Sequence, residues 1–275
     1  MNPRTFLKVI LVLMIVPSFV ILFIPDDIAS VYTIVALPFA LLLGSIFAAW
    51  VSLNYQKELQ KTFIFLFMFL LLMMIANIDP LWMYLKQIAG VYLPLIALSL
   101  QWVTYLMLII ACVYILRVTE VRKIGRYGWI AIFFISLIGI IVITHNMGEV
   151  ISDIVNGPNI YNVSLFAIRF LDVAIVIMLM PVLLLYMQQM RLECRESITF
   201  ATIVSGIIIS LMAAYLYEII FNVPLYVVSS SVYHTGSLLD AFYIYGYLMI
   251  AVGLYVHKRY DEWGFSMIKR ALDMA

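Results

Sequence analysis

Arg169 and Asp172 stand three residues apart inside an otherwise apolar run. That spacing puts a guanidinium and a carboxylate on one face of a helix, within reach of each other. Ionisable groups in such runs are costly to keep there and mark function by default. Asp79, Gln101, Glu218 and Asp240 are the other strongly polar residues held in apolar runs, and with Arg169 and Asp172 they make up the candidate ligand-binding set. The chemistry on offer is recognition of an anion: Arg169 supplies a fixed positive charge and Asp172 holds it in place. The structural alternative is an ion pair whose arginine snorkels to the outer headgroups. Asp79 lies in Asn77-Ile78-Asp79-Pro80, where the proline frees an upstream carbonyl and bends the helix. His145 and His234 titrate near neutrality, but their expected place at the outer interface is solvated. Tyr215, Tyr217, Tyr226, Tyr233, Tyr243, Tyr245 and Tyr247 crowd the outer part of the last two runs. They read as an aromatic belt, with a tyrosine-lined cavity mouth as the alternative.

Other chemistry is missing from the sequence. It contains no HExxH, no GxSxG, no phosphate-cradling glycine loop and no His, Cys and carboxylate cluster at metal-ligand spacing. No catalytic residue, metal or cofactor is therefore assigned, although an acid and a base brought together from different helices would leave no such spacing. Cys112 lies in an apolar run and Cys194 in a basic loop, with no framework of paired thiols. Asn162-Val163-Ser164 is a glycosylation sequon expected in an outer loop.

The elements that must position these groups are dictated by composition. Of 275 residues, 66% are hydrophobic and 11% charged, too few charges to coat a soluble shell, so lipid must be the outer solvent. A net charge of +1 with no basic stripe excludes nucleic acid as a partner. Apolar runs long enough to cross about 30 Å of hydrocarbon can be drawn at 5–25, 29–53, 62–85, 92–116, 128–146, 165–187, 198–221 and 238–257. The expectation is an all-α polytopic membrane protein of about eight transmembrane helices, the first an uncleaved span. Residues 1–260 would form one transmembrane domain, and 261–275 a short cytoplasmic tail with an interfacial helix after Gly264.

Basic residues set the orientation, because positively charged short loops stay in the cytoplasm. Arg4, Lys8, Lys57, Lys61, Arg117, Arg122, Lys123, Arg126, Arg191, Arg195, Lys258, Arg259, Lys269 and Arg270 fall on one side; of the 16 lysines and arginines only Lys86 and Arg169 do not. This gives a multi-pass protein of the cell membrane with both termini cytoplasmic. An internal echo divides the chain into possible repeats at 1–127 and 128–260. Tyr105-Leu106-Met107 recurs as Tyr247-Leu248-Met249, Arg117 matches Arg259, and Lys57 and Lys61 match Arg191 and Arg195. Units with an even number of spans would be parallel repeats, with a ligand cavity between them.

One family resemblance accompanies this reading. Its residues are the Arg169-to-Asp172 helix, the basic loop Arg191 to Arg195, the helix ending Ala213-Ala214-Tyr215-Leu216-Tyr217-Glu218, and the run from Asp240 through Gly246-Tyr247-Leu248 and Gly253 to Tyr255. Together they resemble the multi-helix membrane sensor region found ahead of PAS and histidine-kinase modules in prokaryotes. The resemblance covers about a third of the chain, mainly 165–260. It implies a module that takes a small-molecule or lipid ligand from the outer side and passes the signal to a cytoplasmic or membrane partner. No transmitter, PAS or nucleotide-binding segment occurs before Ala275, so enzymatic signalling is not expected. The polar groups lie on the outer side only, which favours a stand-alone sensor over a small-solute transporter; an enzyme acting on outer-leaflet lipid is the third alternative.

Overall fold

In hydrocarbon a backbone N–H or C=O has no water to bond, so long apolar runs close their hydrogen bonds internally as helices. The computed structural model describes residues 25–89, 92–119, 125–146, 148–157, 160–191, 197–221 and 238–263, with isolated positions before Pro25. Among these residues the chain forms helices α1 (Asp26–Ser52), α2 (Lys57–Ala76), α3 (Asp79–Ala89), α4 (Leu93–Val118), α5 (Arg126–Asn146), α6 (Gly148–Asn156), α7 (Ile160–Arg191), α8 (Ser197–Phe221) and α9 (Leu238–Trp263), and no strand. Six of them contain a segment long and apolar enough to cross a membrane: Val31–Ser52, Lys57–Ala76, Leu93–Val118, Phe166–Met187, Thr199–Leu216 and Leu239–Arg259. These match six of the eight expected spans. Helix α5 occupies the place of another, with a shorter apolar stretch at Gly128–Ile141. The first expected span and the interfacial tail lie almost wholly outside the described residues.

Three local expectations are corrected. The run 62–85 is not one bent helix: α2 stops at Ala76 and α3 starts at Asp79. Pro80 cannot donate to the ladder and disfavours helical backbone before it. The break is then sealed by side chains, as the Asn77 amide donates to the Met73 carbonyl at 2.8 Å and the Trp82 indole to the Ile75 carbonyl at 3.0 Å. Secondly, Asn162 is not in a loop, because α7 begins at Ile160 and buries Ser164. Thirdly, Tyr215 and Tyr247 are core residues, 3% and 2% exposed, and not part of a surface belt.

The six spanning helices close into a ring. Going round it, α4 packs on α2, α2 on α1, α1 on α9, α9 on α8, α8 on α7, and α7 back on α4, while α5 leans on α7 from outside. The ring interior holds one apolar core that includes Leu41, Phe63, Leu70, Leu108, Leu179, Ile207 and Ile250. Outside it, Val35 and Phe39 on α1, Leu106 on α4, and Phe133, Phe134 and Ile138 on α5 point away from the protein, an arrangement that requires an apolar solvent. Hydroxyls in the spans are hidden by bonding back one turn: Thr33 donates to Ala29, Ser45 to Leu41, Thr62 to Glu58 and Thr104 to Leu100. Lipid gives no hydrophobic force between helices, so close van der Waals approach must hold them together. That approach is tightest between α8 and α9, where a Cβ added at Gly206 would lie 2.5 Å from the Gly246 carbonyl oxygen.

Among the described residues, four basic side chains gather at one end of the ring. Lys61 and Arg117 lie over the Tyr114 ring, and Lys258 and Arg259 over the Trp50 ring. This is called the basic end below.

Candidate functional site

Arg169 and Asp172 project from α7 into the ring, where they are 0% and 1% exposed. Arg169 Nη1 donates to Asp172 Oδ2 at 2.5 Å. The other carboxylate oxygen, Oδ1, accepts from the Tyr105 hydroxyl on α4. Asp172 thus ties α7 to the helix that closes the ring, with a charge-assisted bond on each oxygen. Tyr247 on α9 is electrostatically close to both Asp172 and Tyr105. Its own hydroxyl bonds with Ser210 on α8, and Ser210 in turn donates to the Ile207 carbonyl at 2.9 Å. Gly246 makes this reach possible. Ser210 sits so close to it that an added Cβ would meet the serine Cβ at 2.8 Å. Four helices therefore each supply a polar group to one enclosed cluster.

Burying a charge pair is expensive, and its attraction offsets desolvation only when the geometry and remaining hydrogen bonds are good. The cluster meets that condition through its tyrosine. Chemically it is a guanidinium, with five N–H donors in a planar fork, oriented by a carboxylate it engages through Nη1. The groups present can hold an anion, exchange hydrogen-bond partners, and couple the helices that supply them.

Of the six sequence-nominated residues, the structure brings Arg169 and Asp172 together. Asp240 is buried at the start of α9, two turns before Tyr247, where its neighbour Ala241 packs on Ile21 and Ala29. Gln101 is half-buried one turn before Tyr105 on α4. Asp79 opens α3 and Glu218 lies in the last turn of α8; their side chains, like that of His145, lie outside the described structure, as does all of His234. Sequence reading missed Tyr105, Tyr247 and Ser210 as partners. The available signal was the recurrence of Tyr105 at Tyr247, the first bonded to Asp172 and the second to Ser210.

A second buried polar layer, near the basic end, was also missed. His257 is 4% exposed, with Nδ1 3.2 Å from the Thr199 hydroxyl. Its ring packs against Tyr55, Phe63 and Phe200 at centroid distances of 4.9, 5.3 and 5.7 Å. Tyr186 stacks on Phe200 at 5.2 Å, and its hydroxyl is 3.2 Å from that of Thr119. The basic end thus buries an imidazole that is not among the residues the sequence nominated. The signal was helical spacing, since Gly246, Ile250, Gly253 and His257 recur at three- and four-residue steps on one face. No family model, curated protein or solved structure matches this chain.

Proposed function

We propose that this chain is a stand-alone sensor-like module of the cell membrane. It has about eight spans, with both termini cytoplasmic. It takes a small anionic or lipid ligand from the outer side and signals to a separate partner. The observation that carries the reading is the fully buried Arg169–Asp172 pair, bonded to Tyr105 on the neighbouring helix α4. Such a pair is retained against its desolvation cost where it binds or switches.

Two parallel repeats support a coupling role. Exchanging α1 with α7, α2 with α8 and α4 with α9 reproduces the same order of neighbours around the ring. Under that exchange Tyr105, which bonds Asp172, takes the place of Tyr247. Near the basic end Thr62-Phe63 corresponds to Thr199-Phe200. Tyr55 packs on Phe63 as Tyr186 packs on Phe200, and the two phenylalanines stack at 6.1 Å. A ligand that shifts the pair moves one half against the other, and the aromatic stack carries that shift to the basic end.

The topology is checked by reporter fusions. One after Ala275 is expected to read as cytoplasmic and a tag at Gly157 as accessible from outside; an external C-terminus would require an odd span count and refute the orientation. Function is checked with full-length protein in vesicles, using radiolabelled small carboxylates and phosphate esters. The expected result is an anion that raises the melting temperature in detergent yet does not accumulate in vesicles. Accumulation above that in empty vesicles would establish transport instead, the second reading, which a polar cluster between parallel repeats also fits.

A further inference from the structure

The basic end offers a site of a different kind, at the seam between α2 and α4. Lys61 Nζ lies 5.7 Å from the Tyr114 ring centroid and Arg117 Cζ lies 5.5 Å from it. Two cations from neighbouring helices thus share one ring. Tyr114 is itself fixed by Phe65, stacked across the seam at 5.8 Å with an interplanar angle of 10°. Both cations are exposed, and among the described residues neither is in an ion pair. Glu58 is one turn from Lys61 but does not bridge to it. The sequence around the seam is net positive, with Lys57, Lys61, Arg117, Arg122, Lys123 and Arg126 against Glu58 and Glu120.

What lies beneath the cations identifies their partner. Phe65 and Met68 follow Lys61 down α2 at four- and seven-residue steps, and Tyr114 and Met107 follow Arg117 down α4 at three- and ten-residue steps. These side chains are half-buried or exposed, Met68 at 37%. Read at about 1.5 Å per residue, the stripe descends roughly 15 Å from the basic end toward the middle of the spans. A charged head over an apolar stripe of acyl-chain length matches a lipid, whereas a soluble phosphate would use only the top.

We propose that the α2–α4 seam is a binding site for an anionic glycerophospholipid of the leaflet at the basic end. Lys61 and Arg117 hold the phosphodiester, and one acyl chain lies along Phe65, Met68 and Met107. Cations near a membrane surface contribute about 1 kcal/mol each, which is about fivefold in affinity per side chain and roughly thirtyfold for the pair.

The test is native mass spectrometry of the full chain in detergent, titrated with phosphatidylglycerol or phosphatidylcholine. Phosphatidylglycerol is expected to be retained preferentially. The double variant K61Q/R117Q is expected to lose about thirtyfold in affinity, and each single variant about fivefold. Because both side chains are exposed, melting temperatures without lipid are expected to be unchanged. A control of equal charge loss away from the seam, K86Q/K258Q, with Lys258 over the Trp50 ring, is expected to bind as wild type, and millimolar inorganic phosphate is expected not to displace the lipid. Undiminished binding by K61Q/R117Q, or an equal loss in the control, would overturn the site. Displacement by inorganic phosphate would overturn a lipid as its occupant.

Discussion

Asp172→Asn is expected to destabilise the protein by about 3–5 kcal/mol, the cost of leaving a buried partner charge uncompensated. The size of the effect follows from burial. Arg169 is 0% exposed, so it cannot recover water by turning outward, whereas an exposed pair would lose only about 0–1 kcal/mol. Arg169→Gln is expected to cost a similar amount, because it strands the carboxylate with only the Tyr105 hydroxyl. The double variant R169Q/D172N contains neither charge and is expected to recover much of the loss, giving a large coupling energy in the cycle. Tyr105→Phe removes one donor from the carboxylate and is expected to cost about 1–3 kcal/mol. Unfolding of the purified variants in detergent reads all four. Additive losses in the double variant would show that the two side chains act independently.

The second large effect is expected at the α8–α9 seam. A Cβ at Gly206 would lie 2.5 Å from the Gly246 carbonyl oxygen, and one at Gly246 would lie 2.8 Å from the Gly206 oxygen and from Ser210. The clashing atoms are mainly backbone, so no rotamer change relieves them and the helices must separate. Gly246→Val is expected to cost about 3 kcal/mol or more, at the upper end of overpacking effects. It should also part Ser210 from Tyr247 and so disturb the surroundings of Asp172. Gly125 and Gly157 have nothing within 4 Å, and their alanine variants are expected to stay within about 0.5 kcal/mol of wild type. Circular dichroism melts distinguish these outcomes, and a Gly246→Val protein as stable as wild type would mean that the helices are not in contact there.

Much of this architecture is legible in the sequence because lipid imposes a simple rule: an apolar run of sufficient length is a helix. Six of the expected spans correspond to long apolar helices, five of them within a few residues and the run 62–85 only as far as Ala76. The break at Asn77 to Pro80 was announced by the proline, but reading it as a bend overlooked that Asn77 and Trp82 supply the hydrogen bonds that let one helix end and another begin. Within the site, the Arg169–Asp172 contact was readable because it is local, one turn along a helix. Its completion was not readable, because Tyr105 is 67 residues from Asp172 and hydropathy does not say which helices meet. Tyr247 was hidden for a different reason. Near a membrane interface tyrosine is the expected residue, so a core tyrosine looks like its neighbours. His257 was passed over because it closes the expected span 238–257 beside Lys258 and Arg259, although helical spacing places it on the face of Gly246 and Gly253.

The central claim is that the enclosed cation of α7 is the receptor for an anion. It is tested most directly by the thermal shift of the full chain with small carboxylates and phosphate esters, wild type against R169Q/D172N. The double variant is the right comparison because it removes the charges without stranding either. An anion present at about 100 times its Kd stabilises by about 2.7 kcal/mol, which corresponds to roughly 5–10 °C for a chain of this size. Such a shift is expected in the wild type and none in R169Q/D172N; an equal shift in both would contradict anion binding at the pair.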